Sequence, residues 1–316
     1  MKNILIYGFG RMGLTHYSIL NGLDKTLKFT IVESNKKLNS ILRSNFNATF
    51  IKDDTSLDEP FDITVITTPP FVHEELIRKS LKRGDKKIFV EKPFGGQKNY
   101  SNKIEASNVS VGYVLRYNPL IQWLKTNMNA SEIKSVKGEY LSNTIEKKPN
   151  GWRNNSDFSG VLNEMGAHII DLINYLINLE DVEVINTVEK SVISDADDIV
   201  ITEFKSKERN IKLNLNWVNK NIRKPVFKLE FGFLNGDNYI VDQQRITMHN
   251  KNGEVFKTIY TTDLSESVPY YLRGIDFTKQ MQDLLADSEV SCSINQAYRV
   301  NNIMNKILNY ENNIRG

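Results

Sequence analysis

Short apolar runs separated by amphipathic stretches dominate the first third of the chain. Strand-like runs occupy residues 4–7, 29–32, 61–66, 88–90 and 110–115. Helical patterns lie between them at residues 14–20 and 71–84. Because buried parallel strands are almost continuously apolar and alternate with helices along the chain, this order predicts a doubly wound parallel sheet.

The pattern changes after residue 118. Long strand-like runs follow at residues 135–142, 182–193, 199–204, 211–218 and 226–233, with helical patterns before them at 120–128 and 160–179. A strand series with few helices predicts a mostly antiparallel sheet rather than a second parallel one. We therefore expect an α/β protein with two domains, residues 1–118 and 119–316, and allow for the last helix packing back on the first domain.

Composition narrows the class of protein. The 316 residues are 40% hydrophobic and 25% charged, with a net charge of +3 and no dense basic block. These values are typical of a globular protein and argue against a nucleic-acid or membrane partner. Cys292 is the only cysteine and the four histidines are scattered, so we expect neither a disulfide nor a metal site. With no signal peptide recognisable, the predicted location is cytoplasmic.

A glycine-rich turn follows the first strand. Gly8, Gly10 and Gly13 form the pattern G-x-G-x-x-G between that strand and the first helix. Gly8 permits a tight turn, Gly10 lets a pyrophosphate approach the backbone, and Gly13 allows close helix–strand packing. The helix start supplies free N–H groups for the phosphate. The turn therefore predicts a dinucleotide site, which includes Arg11 and Met12.

Glu33 ends the second strand, at the distance from the glycines where an acidic residue binds the adenosine ribose. A carboxylate there repels a 2′-phosphate, which favours NAD over NADP. Lys36 and Lys37 lie close by and leave NADP open as the alternative.

Two further strand ends carry polar residues. Thr67, Thr68 and Pro69 close one strand and are predicted to line the nicotinamide side of the crevice. His73 opens the next helix, where a cofactor contact and a bond to a nearby carbonyl are equally compatible with the sequence.

Glu91 and Lys92 close the strand at residues 88–90, just before Pro93 stops its hydrogen-bond ladder. The carboxyl ends of parallel strands are where ligands bind, so we expect Lys92 at a cofactor crevice. Taken alone, the alternative is a surface lysine that merely closes a strand.

Glu164, His168 and Asp171 share one face of the helix predicted at residues 160–179. A histidine set by a carboxylate can exchange a proton with a substrate hydroxyl, and Lys92 could stabilise charge on the same oxygen. The alternative is a solvated face with an ordinary Glu–His pair.

Motifs in chain order resemble one enzyme family. They are Gly-Phe-Gly-Arg-Met-Gly-Leu-Thr-His at 8–16, Thr-Thr-Pro-Pro-Phe-Val-His at 67–73, Val-Glu-Lys-Pro-Phe at 90–94, Gly-Tyr-Val-Leu-Arg-Tyr-Asn-Pro at 112–119, Trp-Arg at 152–153 and Ser-Gly-Val-Leu-Asn-Glu-Met-Gly-Ala-His-Ile-Ile-Asp-Leu at 159–172. Together they resemble the glucose–fructose oxidoreductase and inositol dehydrogenase family (Gfo/Idh/MocA), over residues 1 to about 176.

The resemblance implies a Rossmann domain followed by an α/β domain with a large, mostly antiparallel open sheet, often used for dimer or tetramer contacts. It implies hydride transfer between NAD or NADP and a hydroxyl or carbonyl of a sugar, cyclitol or sugar nucleotide. The alternative is a non-catalytic NAD(H)-binding regulator or scaffold.

The resemblance also assigns residues. Lys92 matches the lysine of the family's Glu-Lys-Pro motif, His168 matches its acid/base histidine, and Glu164 stands where many members carry aspartate. Positions that commonly border the substrate or nicotinamide are matched by Arg116, Asn118, Trp152 and Arg153. One departure is the short segment 94–108, which leaves Gly95 and Gly96 as a loop beside Lys92.

The substrate is less defined. Arg116, Arg153 and the pair Lys147 and Lys148 would suit an acidic sugar or sugar nucleotide, although ordinary surface charge explains the lysines as well. Tyr270, Tyr271 and Arg273 are further candidates for the border of the pocket.

Overall fold

The computed structural model describes residues 1–35, 44–95, 103–264, 273–286 and 292–310. The predictions that concern Lys36, Lys37, Gly96, Tyr270 and Tyr271 lie outside these residues.

Seven α-helices occur in the described part of the chain: α1 Arg11–Leu23, α2 His73–Arg83, α3 Pro119–Asn127, α4 Ala167–Ile177, α5 Thr261–Leu264, α6 Ile275–Leu285 and α7 Ile294–Leu308. The strands of the first sheet are β1 Asn3–Tyr7, β2 Lys28–Val32, β3 Thr49–Ile51, β4 Ile63–Ile66, β5 Lys87–Val90 and β6 Val109–Val111. Those of the second are β7 Ile133–Leu141, β8 Val182–Lys190, β9 Ile199–Ser206, β10 Arg209–Asn216, β11 Val226–Phe233, β12 Asn238–Val241, β13 Arg245–His249 and β14 Val255–Tyr260.

The first sheet is parallel throughout, in the order β3-β2-β1-β4-β5-β6. The strand order reverses between β1 and β4, which is the switch point where doubly wound sheets bind ligands. Ile4, Leu5 and Ile6 are fully buried because both faces of the sheet are covered. The predicted doubly wound fold is confirmed, with the short β3 as an addition that the sequence pattern did not indicate.

The run at residues 110–115, predicted as one strand, is shorter in the structure. Strand β6 ends at Val111, and a 3₁₀ turn follows at Val114–Tyr117. Gly112 crosses close to β5, where a Cβ would lie 2.9 Å from the Phe89 ring and its N–H bonds the Val90 carbonyl. The backbone therefore turns at this glycine despite the β-branched residues around it. The predicted strand at residues 61–66 likewise begins later, at Ile63.

The second sheet has the order β14-β13-β12-β11-β7-β10-β9-β8. Its pairs are antiparallel except for β7 and β10, which run parallel at the centre. The predicted mostly antiparallel sheet is confirmed, with this one parallel pair that the sequence pattern did not indicate. Helix α4 packs on the sheet closely enough that a Cβ at Gly138 would lie 2.7 Å from Ile169 Cγ2.

Two compact units are formed by the described residues. The first comprises residues 1–95, 103–117, 273–286 and 292–298, and the second 118–264 and 299–310. Helix α6 belongs to the first unit, where Met281 and Leu284 join the core around β1 and β2. The predicted domains, residues 1–118 and 119–316 with the last helix allowed to pack back on the first, stay a prediction.

Candidate active site

The turn between β1 and α1 has the geometry that its glycines predict. Gly8 has a φ of +82°, which favours glycine, and its N–H bonds the Val32 carbonyl at 2.9 Å. A Cβ at Gly13 would lie 2.1 Å from the Gly8 carbonyl oxygen, so no larger residue fits there without a backbone shift. The hydroxyl of Thr67 donates to the Gly8 carbonyl at 2.8 Å and holds the turn from the neighbouring strand.

The start of α1 is open. Gly10 is its N-cap residue and supplies no side-chain hydrogen bond, and a Cβ there would meet no atom within 4 Å. The first N–H groups of a helix lack partners inside the helix and carry the positive end of its dipole. With Arg11 exposed and Met12 half-buried beside it, this start fits the pyrophosphate of a dinucleotide.

Glu33 lies next to this turn, as predicted for a ribose-binding carboxylate. Its Oε2 accepts the N–H of Phe9 at 3.0 Å, and its Oε1 accepts the N–H of Asn35 at 2.8 Å. The carboxylate is partly exposed. Two backbone donors therefore fix a negative charge at the end of β2 while leaving it accessible.

The loop after β4 brings Thr68, Pro69 and His73 together. His73 is fully buried and its Nε2–H donates to the Thr68 carbonyl at 2.8 Å, while burial lowers the pKa of its imidazole. The bond to a nearby carbonyl is thus present. The hydroxyl oxygen of Thr68 is buried without a hydrogen-bond partner among the described residues, which suits a contact with a bound polar group.

Glu91 has a buried partner that the sequence did not indicate. His16 on α1 is fully buried, and its Nε2–H donates to Glu91 Oε1 at 2.7 Å. Both residues lie inside motifs noted above, but no spacing rule joins positions 75 apart. The bond ties the end of β5 to α1, immediately before Lys92, which is half-buried.

Arg116 is buried and bonded within the protein, unlike an arginine that is exposed to bind an anion. Its side chain is only 2% exposed, and its guanidinium donates to Gln296 Oε1 at 2.8 Å. An internal anchor of this kind fixes the 3₁₀ turn after β6. Its role toward substrate stays a prediction.

In the second unit, a π-helical turn at Leu162–Gly166 leads directly into α4. Such turns occur frequently at functional sites. Glu164 and His168 are half-buried and Asp171 is only 1% exposed. The alternative of a solvated face therefore does not describe Asp171.

Glu164 has neighbours from the preceding loop. The hydroxyl of Ser159 donates to its Oε1 at 3.4 Å, and Nε of Arg153 lies 4.0 Å from the same oxygen. The Arg153 guanidinium also lies over the Trp152 ring, 5.4 Å from its centre. The predicted site residues Glu164, Arg153 and Trp152 are thus adjacent.

Asn118 and Lys148 have local partners. Asn118 caps α3, with its Oδ1 accepting the N–H of Leu120 at 3.0 Å. Lys148 forms an exposed ion pair with Asp195 at 2.7 Å, in line with ordinary surface charge.

Asp197 closes the start of the π turn, and nothing in the sequence pattern pointed to it. Its Oδ2 accepts the N–H of Leu162 at 2.8 Å and its carbonyl accepts the N–H of Val161 at 2.7 Å. Gly160, at a φ of +120°, makes room for it, since a Cβ there would lie 1.9 Å from Asp197 Oδ1. Burial raises the pKa of the Asp197 carboxyl to about 7.

Comparison with known proteins agrees with this geometry. Residues 2–105 match the model of the oxidoreductase family with an NAD-binding Rossmann fold, GFO_IDH_MocA. A curated relative is the glucose-6-phosphate 3-dehydrogenase of Bacillus subtilis (strain 168), which is 25% identical over 189 residues, 56% of this chain and 54% of the relative. The match thus spans about half the length of that relative.

Solved structures share the fold. A levoglucosan dehydrogenase in complex with NADH has a TM-score of 0.81 at 19% identity, over 97% of this chain and 96% of that one. The UDP-N-acetylglucosamine 3-dehydrogenase GnnA from Acidithiobacillus ferrooxidans has a TM-score of 0.73 at 15% identity, over 97% and 96%.

The described residues contain neither a cluster of potential metal ligands nor a helix of membrane-spanning length. No cluster of three or more histidine, cysteine, aspartate or glutamate side chains in this part of the chain could hold a metal ion. No helix within it is long and apolar enough to span a bilayer.

Proposed function

This chain belongs to the Gfo/Idh/MocA oxidoreductase family, and we propose that it transfers a hydride between a nicotinamide dinucleotide and a carbon that bears a hydroxyl or carbonyl group. The observation that carries the proposal is the glycine turn at the switch point, with its open helix start and the adjacent Glu33. The bound cofactor supplies the hydride acceptor or donor.

The cofactor is NAD in preference to NADP. Glu33 supports this choice because two backbone N–H groups hold its carboxylate beside the turn. A fixed negative charge accepts hydrogen bonds from a ribose diol and repels a 2′-phosphate. The partnerless hydroxyl of Thr68 offers a further contact on the same side of the sheet.

The reacting oxygen is served by two residues in this proposal. His168 takes or gives the hydroxyl proton, and Lys92 stabilises charge that develops on that oxygen. Glu164 and Asp171 lie on the helical face of His168 and set its orientation and charge, one half-buried and the other fully buried.

The substrate is a sugar or sugar derivative. The relatives described above are named as dehydrogenases of glucose 6-phosphate, levoglucosan and a UDP-linked amino sugar. Trp152 and Arg153 support a sugar because an aromatic face beside a guanidinium suits a polar ring with apolar C–H faces.

The outer face of the second sheet is where we place contacts between copies of the chain. Val188 and Ile201 are paired across β8 and β9 and are 40% and 51% exposed. Exposed apolar side chains of this kind mark interaction surfaces when they adjoin. Light scattering of the purified protein would give the number of copies.

The test combines binding with turnover. Lys92→Met and His168→Gln should each lower kcat by about 10²-fold or more, as expected for loss of an acid/base or charge-stabilising group. NADH binding, followed by nicotinamide fluorescence, should change little in His168→Gln. Matched controls are Lys134→Met and His249→Gln, which change residues of the second sheet outside the proposed site and should turn over normally.

A panel of sugars, sugar phosphates, cyclitols and nucleotide sugars, followed at the absorbance of reduced nicotinamide, identifies the substrate class. Turnover by Lys92→Met or His168→Gln at the wild-type rate would contradict the roles given to them. NADH binding without turnover of any compound would favour a non-catalytic NAD(H)-binding regulator instead.

A further inference from the structure

Arg273 holds an unusual place in the first unit. It lies just before α6, more than 250 residues after the glycine turn, yet its guanidinium donates to the sulfur of Met12 at 2.9 Å. Its backbone has a φ of +65°, a conformation that residues other than glycine rarely adopt. The guanidinium also lies over the Phe277 ring, 5.3 Å from the ring centre.

Helix packing explains how Arg273 reaches this position. Helix α6 packs against α1, and Met281 on α6 is part of the core that also holds Tyr17 on α1. The residue at the start of α6 is therefore brought to the start of α1. Strain in a non-glycine backbone is more often found at binding and catalytic sites than elsewhere.

Arg11 and Arg273 bring two positive charges to the start of α1. Burial lowers the pKa of the Arg273 guanidinium, and the charge of Arg11 lowers it further. Neither arginine forms a salt bridge with a carboxylate in the described residues. Glu91 provides the opposing charge, but it already accepts a hydrogen bond from His16 at 2.7 Å.

A bound anion would offset the repulsion between the charges of Arg11 and Arg273. The first N–H groups of α1 have no side-chain cap, and the space beside Gly10 is open. Like charges held close together repel, and an anion that they share removes the repulsion. Guanidinium groups bind phosphate oxygens with two parallel hydrogen bonds.

We propose that Arg273 and Arg11 together bind the pyrophosphate of the dinucleotide at the start of α1, with Arg273 as the second cation supplied from the far end of the chain. This inference rests on the proposed function, since it needs a dinucleotide in the glycine turn. It gives Arg273 a direct part in cofactor binding.

The first experiment measures NADH affinity by fluorescence titration of the full chain. Arg273→Met should weaken NADH binding about tenfold, the loss expected for one charge-assisted contact. Arg11→Met, which changes an exposed side chain and leaves the core intact, should give a loss of similar size. Arg245→Met removes an equal charge from the second unit and should leave the affinity unchanged.

ADP-ribose distinguishes the pyrophosphate from the nicotinamide half of the ligand, because it has the first and lacks the second. In competition with NADH, its affinity should fall by the same factor as that of NADH in Arg273→Met. The dependence of log Kd on log salt concentration should also become shallower, because one phosphate contact is lost.

The outcomes separate the two proposals. An unchanged ADP-ribose affinity or an unchanged salt dependence in both arginine variants would overturn the role of Arg273 and Arg11 while leaving the oxidoreductase proposal in place. A wild-type protein that binds neither NADH, NADPH nor ADP-ribose would overturn the proposed function itself.

Discussion

Two helix starts contribute to the proposed site, and the protein satisfies their backbone N–H groups in opposite ways. Helix α1 begins at Gly10 with no side-chain cap and with open space around it. The π turn that leads into α4 begins at a buried carboxylate, with Asp197 accepting the N–H of Leu162. Free N–H groups at a helix start are ordinarily satisfied by capping, water or a ligand.

The two helix starts have different roles in the proposed function: the start of α1 binds a ligand, and the π turn positions side chains. At α1 the backbone donors have no side-chain cap, and in the proposed function they bind an incoming phosphate. At the π turn the protein fills its own donors, which fixes the direction of α4 and hence of Glu164 and His168. In the proposed function, a helix start thus binds a ligand in one unit and holds side chains in place in the other.

The largest loss of stability is expected when the space that Gly160 leaves for Asp197 is filled. Gly160→Ala would put a Cβ 1.9 Å from Asp197 Oδ1 and strain a backbone with a φ of +120°. Overpacking and left-handed strain together predict a loss of about 5 kcal/mol in the free energy of unfolding. Chemical denaturation measures it.

Gly253→Ala is the matched control for this substitution. Gly253 also has a positive φ, but a Cβ there would meet no atom within 4 Å. The Gly253→Ala protein should lose about 1 kcal/mol in the free energy of unfolding, which is the contribution of backbone strain alone. Equal losses in the two variants would mean that the space occupied by Asp197 does not matter.

The second effect is a pH dependence of stability. Burial raises the pKa of Asp197 to about 7 in the folded protein, from an ordinary value of 3.8. The folded state then holds this proton more tightly than the unfolded state, so stability is greatest below the unfolded pKa and falls as pH rises through about 7. The contribution amounts to up to about 4 kcal/mol.

Urea denaturation at several pH values tests this dependence. Asp197→Asn should remove the decline between the two pKa values, whereas Asp195→Asn, at an exposed ion pair, should retain it. Parallel curves for wild type and Asp197→Asn would show that Asp197 is not the group responsible.

The third prediction concerns stability and NADH binding at the open start of α1. Gly13→Ala would put a Cβ 2.1 Å from the Gly8 carbonyl oxygen and should cost about 3 kcal/mol of stability. Gly10→Ala meets no protein atom, so it should fold normally yet weaken NADH binding. Thermal unfolding and NADH titration measure the two variants, and a Gly10→Ala protein with wild-type affinity would argue against phosphate at this position.

The smallest effect is expected at Thr67. Thr67→Val keeps the shape but removes the hydroxyl that donates to the Gly8 carbonyl at 2.8 Å. The expected loss is about 1 kcal/mol, the ordinary contribution of one hydrogen bond. Denaturation detects this loss, and a variant as stable as wild type would show that the turn holds its shape without this bond.

Features that depend on residues close together in the sequence were predictable from the sequence. The strand, glycine turn and helix at the start of the chain were predicted because each glycine has its own steric reason, visible within thirteen residues. Glu33 followed from its distance to that turn. The face shared by Glu164, His168 and Asp171 followed from helical spacing.

Contacts between distant residues were not predicted. The bond between His16 and Glu91 joins α1 to the end of β5, and Asp197 contacts Gly160 from the loop between β8 and β9. Each depends on which elements become neighbours in space, and neither residue type signals its partner. The parallel pairing of β7 and β10 was missed for the same reason.

The return of α6 to the first unit has a consequence for how the protein is made. Met281 and Leu284 complete the core that begins at Ile4 and Ile6, so the amino-terminal half cannot bury that core until synthesis has passed them. A nascent chain that has emerged only as far as residue 118 would keep apolar surface exposed to solvent and to chaperones. The nucleotide-binding half should therefore acquire its final fold late in translation, together with the rest of the molecule.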